Sequence, residues 1–433
     1  MSALKSKFSG WQVLAACAIS SGFQQAFILT ASLFVSYIAE DLGTTNAVVL
    51  YRTSIVNLVG MLLNMFFAKP IYAKLGTKKS FFIGSLCAAA GYLISATCQS
   101  VGMLMVAGFV QGFALCIGMQ TFTTACITKW FYTGRKTTSA VMMAAIPGAT
   151  TVAMLVTGEL LAAYDWRTVY FILAGIVIVT GCGSALFVHD SPESVGQKMY
   201  GYDKFLEDQK NGNLNTVKEE PSVGPEDARK TSFYWLLIIT VFSLALLSTS
   251  LGVYAPVYWK GEGMDILTAS RLSSVISILT LAYVVGTGAL SDRFGINKVA
   301  PVLYAIGIVG VIGIVLLGGT ANPLAIAACC VVATLTRGVN LSYYTMVLPQ
   351  AFGPKYLGKI SGVFLALYGV TGFLNPIFFG KLAEVAGFEI TWFSQIALGA
   401  VGVVLMIILG KKIPAVHERT VQIYMEKEGS AEK

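Results

Sequence analysis

The length of its apolar runs most constrains what this chain can fold into. Twelve stretches carry very little charge: 11–39, 46–73, 80–98, 102–128, 138–163, 167–188, 232–258, 268–290, 298–318, 322–350, 358–383 and 389–410. Each is long enough to cross a hydrocarbon core of about 30 Å as a helix. Barrel strands would instead alternate over about ten residues per segment. The runs therefore predict an all-α membrane protein of twelve transmembrane helices. With 55% hydrophobic and 12% charged residues, the chain is too apolar for a soluble enzyme.

The pattern repeats. Gly288 to Lys298 reads GALSDRFGINK, and Lys69 to Lys79 reads KPIYAKLGTKK. Aligning Gly295 with Gly76 gives an offset of 219 residues, about half the chain, which also carries Arg52 onto Arg271 and Ser54 onto Ser273. Duplicated halves in a membrane protein point first to transport around a site at the repeat interface. The organisation expected is a six-helix bundle over 1–188, a cytoplasmic linker over 189–230, a second six-helix bundle over 231–410 and a cytoplasmic tail over 411–433. The stretch KNGNLNTVKEEPSVGPED within the linker has the composition of a mobile tether.

Basic residues give the orientation. If the N-terminus is cytoplasmic, the inner segments hold 24 of the 30 Lys and Arg, while the outer turns carry Glu40, Asp41, Asp165, Glu262, Asp265, Glu384 and Glu389. Both termini are expected on the cytoplasmic side of the cytoplasmic (inner) membrane. The net charge of +8 follows from this asymmetry and calls for no nucleic-acid partner. The first apolar run is too long for a cleavable signal peptide and is expected to remain as a helix. Eight cysteines, all within the predicted spans, read as small core residues rather than disulfides or metal ligands.

Two six-helix halves, a central cytoplasmic loop and GALSDRFG after the eighth stretch together resemble the major facilitator superfamily. That resemblance implies alternating access, with Gly288, Asp292, Arg293 and Gly295 as a conformational latch. Gly288 would let helices approach closely, and Asp292 would accept from the free N–H groups that open a neighbouring helix. In the first-half copy the family's glycine is Lys69 and its aspartate is Ala73, which implies a weak or one-sided latch there.

A narrower likeness rests on four features: Trp130-Phe131 before Arg135; Asp165-Trp166-Arg167; Ser191 to Gly196 with Tyr200-Gly201-Tyr202; and Phe233-Tyr234-Trp235. These are similar to the oxalate/formate antiporter and monocarboxylate porter group. Where that resemblance would put the oxalate exchanger's charged helix 8 and helix 11 residues stand Val284 and Tyr368, so an oxalate dianion would miss both positive partners. Small organic anions remain the implied class.

Arg337 is the sharpest functional pointer. It lies some 14 residues into the tenth stretch, roughly 20 Å deep at 1.5 Å per residue. A guanidinium there costs at least about 2.5 kcal/mol to insert and is expected to face a cavity or a polar partner. Asn340 and Tyr344 follow at i+3 and i+7, so the stripe can make a carboxylate receptor of a planar fork, an amide and a phenol. The bland alternative is that Arg337 ties its helix to a neighbour. Gln24 and Tyr368 are the other expected substrate contacts, with Ser21, Gln25, Gln120, Thr121, Ser248, Thr249 and Asn375 as further polar residues at middle depth. Arg52 and Arg271 are expected to reach the outer interface by snorkelling, with a second anion site as the alternative and Glu159 able to pair with either. Pro147 and Pro376 permit bending.

No Walker loop and no His/Cys cluster appears, and both histidines fall outside the spans, so neither catalysis, a metal nor a cofactor is expected. The reading is a monomeric secondary or facilitative transporter, working by exchange or facilitated movement, with a small carboxylate as substrate. Transport of a larger amphipathic or drug-like molecule is the second reading, and a non-transporting membrane receptor is the alternative from another class.

Overall fold

The computed structural model describes residues 8–118, 120–210, 221–317 and 322–431, with the side chains of Gln120, Thr121, Phe122, Thr124, Arg135, Lys136, Ala140, Leu365 and residues 427–431 outside that description. Lys5, Lys7 and most of the predicted tether also lie outside the described residues. Among the described residues, ten helices are long and apolar enough to cross a membrane. Asn46–Ala96 counts twice because Gly76 (φ 68°, ψ −173°) breaks it. Val101–Gly118, followed by Gln120–Trp130, supplies the remaining span.

The helices are α1 (Gly10–Asp41), α2 and α3 (46–75 and 77–96), α4 (Val101–Gly118 with Gln120–Trp130), α5 (Arg135–Ala163) and α6 (Trp166–Ala185). The second set is α7 (Ser232–Val253 with Ala255–Gly261), α8 (Ile266–Phe294), α9 (Ile296–Leu317), α10 (Pro323–Phe352), α11 (Leu357–Ala386) and α12 (Phe388–Ala431). Two compact units result, one of Met1–Asn215 with Ala269–Ser274, the other of Thr216–Thr268 with Val275–Lys433.

The repeat is visible in the backbone. Gly76 and Gly295 both take positive φ, 68° and 84°, so each ends its helix in a conformation that a side chain would strain. In the first copy Asp190 accepts from the Thr77 backbone N–H, which is an orphan donor of the opening turn of α3.

Each unit has its own core. In the first, Val13, Cys17, Phe81, Cys126, Trp130, Phe131 and Val188 pack together, and Trp130 Nε1 donates to the His189 carbonyl at 2.9 Å. The family-like loop residues close this end: Phe131 bridges to Tyr200, and Tyr132 donates to Asp208 at 2.8 Å. At the other end Asp165 caps α6, while Arg167 reaches Asp41 at 2.6 Å and the Ala96 and Cys98 carbonyls at 2.9 and 2.7 Å. In the second unit, buried Tyr304 donates to the Leu244 carbonyl at 2.8 Å and Tyr258 to that of Val315 at 3.0 Å, fixing α9 against α7.

Candidate functional site

Interruptions in three of the helices bear on the site. α1 passes through a 3-10 turn at Thr30–Phe34, α7 is broken at Tyr254, and α10 is broken at Thr334. The last interruption sets the local geometry of Arg337. Thr334 Oγ1 back-bonds to the Cys330 carbonyl at 2.6 Å, and the Arg337 N–H bonds only three residues back, to the Thr334 carbonyl at 3.0 Å. Threonine hydroxyls that compete for the helical carbonyls bend helices in this way.

Arg337 emerges from that turn half-buried and lies across α7. One guanidinium N–H donates to the Ser248 carbonyl at 3.3 Å. Nε has no partner among the described residues, and no carboxylate pairs with this arginine there. One turn beyond Ser248, Gly252 supplies the room: a Cβ at that position would overlap the guanidinium.

Asn340 is one turn further along α10. Its amide Nδ2 donates to Ser248 Oγ at 2.7 Å, its carbonyl accepts from Tyr368 OH at 2.7 Å, and its Oδ1 is buried without a partner among the described residues. Tyr344 stacks on Phe364 at 5.6 Å and 10°, and its ring centroid is 5.9 Å from that of Tyr368. Arg337, Asn340, Tyr344 and Tyr368 therefore form one cluster within the second unit. Val284 meets α10 away from these four residues, where Ser342 Oγ lies 3.5 Å from its carbonyl. Asn375 is engaged elsewhere on α7, donating to the Leu246 carbonyl at 3.0 Å and to Thr249 and Ser250 hydroxyls at 2.9 Å.

Gln24 belongs to the first unit. It is buried, and its amide nitrogen donates to Ser20 Oγ at 3.3 Å, the Phe81 carbonyl at 3.1 Å and Ser85 Oγ at 2.7 Å, tying α1 to α3. Arg52 departs from the snorkelling expectation. It is 3% exposed and points into the first unit. Arg271, in the stretch grouped with the first unit, is exposed and 3.4 Å from Glu159. Reasoning from sequence alone missed Gly252 and Phe364; a glycine one turn from a polar mid-helix serine was the available signal for the first.

The model of the Major Facilitator Superfamily matches residues 14–376, most of the chain. The chain belongs to that superfamily. Monocarboxylate transporter 2 of Mus musculus is 24% identical over 411 residues, covering 84% of this chain and 81% of that protein. Monocarboxylate transporter 1 of Bos taurus is 22% identical over 456 residues, covering 98% and 87%. Among solved structures, a POT family transporter in complex with 5-aminolevulinic acid superposes with a TM-score of 0.71 at 12% identity, covering 96% of this chain and 98% of that one. The nucleoside transporter NupG superposes with a TM-score of 0.70 at 13% identity, covering 92% and 99%. At such identities the structures speak for the fold alone. As a superfamily member the protein is a multi-pass membrane transporter of the twelve-helix fold, with a small-molecule substrate, and not an enzyme.

The superfamily's loop motif lies at the end of α8. Gly295 ends the helix, Asp292 and Arg293 are exposed, and the Arg293 guanidinium lies 5.2 Å from the Phe294 ring centroid. Gly288 departs from the expected close helix approach, since a Cβ there would meet nothing within 4 Å among the described residues.

Proposed function

We propose that this transporter moves a small organic anion, a carboxylate, across the cytoplasmic membrane by alternating access, with Arg337 as the anchor. The observation that carries the reading is a half-buried guanidinium with unused N–H groups and no acidic partner among the described residues. A carboxylate would accept from the fork in a bidentate pair. Asn340, Tyr344 and Tyr368 line the same cluster, and Gln24 is proposed as a further substrate contact. The names borne by the monocarboxylate relatives support the same class.

Exchange or facilitated movement is the mode proposed, by a monomer with both termini cytoplasmic. The two six-helix halves would rock about the linker, and Gly288, Asp292, Arg293 and Gly295 would serve as the latch. The competing role for Arg337, a tie between α10 and α7, draws on its bond to the Ser248 carbonyl.

Thermal unfolding of the purified protein with pyruvate, formate and oxalate, in wild type and Arg337→Gln, separates the two. Stabilisation by a carboxylate in wild type and its loss in the variant is the expected result. Equal stabilisation of both removes Arg337 as anchor. Counterflow of labelled pyruvate in liposomes checks transport itself, and substrate-induced stabilisation without flux would leave only a receptor.

A further inference from the structure

The first unit holds a second arginine that the transport reading does not use. Arg52 lies six residues into α2 from Asn46, about 9 Å along the axis. Its guanidinium is enclosed by α3, α4 and α6. NH1 donates to Tyr170 OH at 3.0 Å, NH2 donates to Gln111 Oε1 at 2.6 Å, and the charge lies 5.5 Å from the Tyr170 ring centroid. Tyr170 in turn stacks on Tyr92, with centroids 5.8 Å apart, and Gln111 is pressed against Gly91, where a Cβ would overlap its side chain. Gly108 on α4 lets the stem of Arg52 approach, since a Cβ there would lie 3.0 Å from its Cγ.

The hydrogen-bond inventory of this cluster is lopsided. Arginine is a donor only, so it takes the Gln111 oxygen as acceptor and leaves the Gln111 NH2 without a share in that contact. That NH2, the Arg52 Nε–H and the Tyr92 hydroxyl are all buried, and none has a partner among the described residues. The two acceptors nearest the charge, Tyr170 OH and Gln111 Oε1, are already occupied. What remains around a full positive charge is two N–H donors and one hydroxyl, on residues at most 3% exposed. No carboxylate pairs with Arg52 among the described residues.

We infer that the first unit binds a small monovalent inorganic anion, of the size and charge of chloride, at Arg52, Gln111 and Tyr92. An anion is the species that accepts from all of these donors at once and balances the buried charge. The aromatic enclosure by Tyr92, Tyr170 and Phe34, the last stacked on Tyr170 at 4.1 Å, favours a compact ion over an organic carboxylate. The site involves none of the residues of the Arg337 cluster, so either proposal can fail without the other.

The test measures thermal unfolding of the purified full chain while sodium gluconate is replaced by sodium chloride at constant ionic strength. The expected result is a rise in unfolding temperature that saturates with chloride, since a ligand of the native state stabilises by mass action. Arg52→Gln should abolish the saturable rise. Tyr92→Phe, which removes one donor and keeps the ring, should raise the half-saturating chloride concentration about tenfold, the loss of one charge-assisted hydrogen bond. Crystals soaked in bromide should give an anomalous peak beside the Arg52 guanidinium. No chloride dependence, an unsaturable rise, a saturable rise retained in Arg52→Gln, or bromide peaks only elsewhere would overturn the inference. Should Arg52→Gln not fold, Tyr92→Phe and the bromide peak decide.

Discussion

Gly252 on α7, by having no side chain, leaves the space that the Arg337 guanidinium of α10 occupies. Any residue with a Cβ at 252 must push the fork off the Ser248 carbonyl. The end of an arginine can move, so Gly252→Ala should fold. Its cost should be about 1 kcal/mol, the net worth of the lost bond. Its larger effect should be on the ligand, because the fork loses its fixed orientation and carboxylate affinity should fall about tenfold. Carboxylate titrations of the variant by thermal shift measure both effects, and unchanged affinity would detach Gly252 from the site.

Tyr368 and Arg337 should differ in size of effect. Tyr368→Phe loses the hydroxyl that donates to the Asn340 carbonyl at 2.7 Å. In membrane helices such a bond averages about 0.6 kcal/mol, so carboxylate binding should weaken only several-fold. Arg337→Gln removes a charge-assisted fork worth about 1.5–3 kcal/mol, or roughly 10- to 150-fold. Flux assays across a range of substrate concentrations should reproduce that order, and a Tyr368→Phe loss as large as that of Arg337→Gln would contradict it.

Much of this was legible in the sequence because spans and repeats are written in length and spacing. The paired glycines Gly76 and Gly295 stand out at an offset of 219, and both turn out to need positive φ. Arg337 stands out because a charge in an apolar run has few places to go. Arg52 was misjudged because nearness to a helix end says nothing about which way the side chain turns around the axis. Gly108 and Gly112 on α4 decide that by letting α2 approach closely, a property of packing between helices rather than of either one. Gly252 was missed for the same reason.

Asp190 illustrates a third kind of hidden partner. The first-half loop has Ala73 where the family's aspartate would stand, yet a carboxylate reaches this loop from 113 residues away and accepts from the Thr77 N–H beside Gly76. It does there what an N-cap residue does, with the helix dipole adding to the attraction. Asp190→Ala should destabilise the protein by about 1 kcal/mol, within the usual 0.5–2 kcal/mol for a lost cap. Asp190→Asn, which keeps an acceptor, should recover most of that loss. A shift in unfolding temperature that is the same for both variants would mean that charge rather than capping matters.

Arg167 should matter more than its ion pair does. The partner Asp41 is 42% exposed, so Asp41→Asn should cost less than about 1 kcal/mol. Arg167→Ala also strips the Ala96 and Cys98 carbonyls at the end of α3 of their donor, so it should cost about 2 kcal/mol or more. Thermal unfolding of the two variants side by side tests the difference, and equal losses would mean that the ion pair alone carries the contact.

Asp165 and Asp265 make matching caps, and they predict how stability follows pH. Each precedes its helix by one residue and accepts from a threonine three residues on, Thr168 and Thr268. Those hydroxyl and backbone donors hold both carboxyls below the usual aspartate range. A carboxyl whose folded value is depressed stabilises the protein above its unfolded value, about 3.9, and that contribution is lost as pH falls toward the folded value. Unfolding temperature should therefore decline as pH drops below about 4, where both carboxylates begin to take up protons in the unfolded chain before they do in the folded one. The double variant Asp165→Asn with Asp265→Asn keeps an acceptor at each cap but cannot titrate, so its decline over that interval should be shallower than that of wild type. A parallel decline would assign the acid sensitivity to other carboxylates.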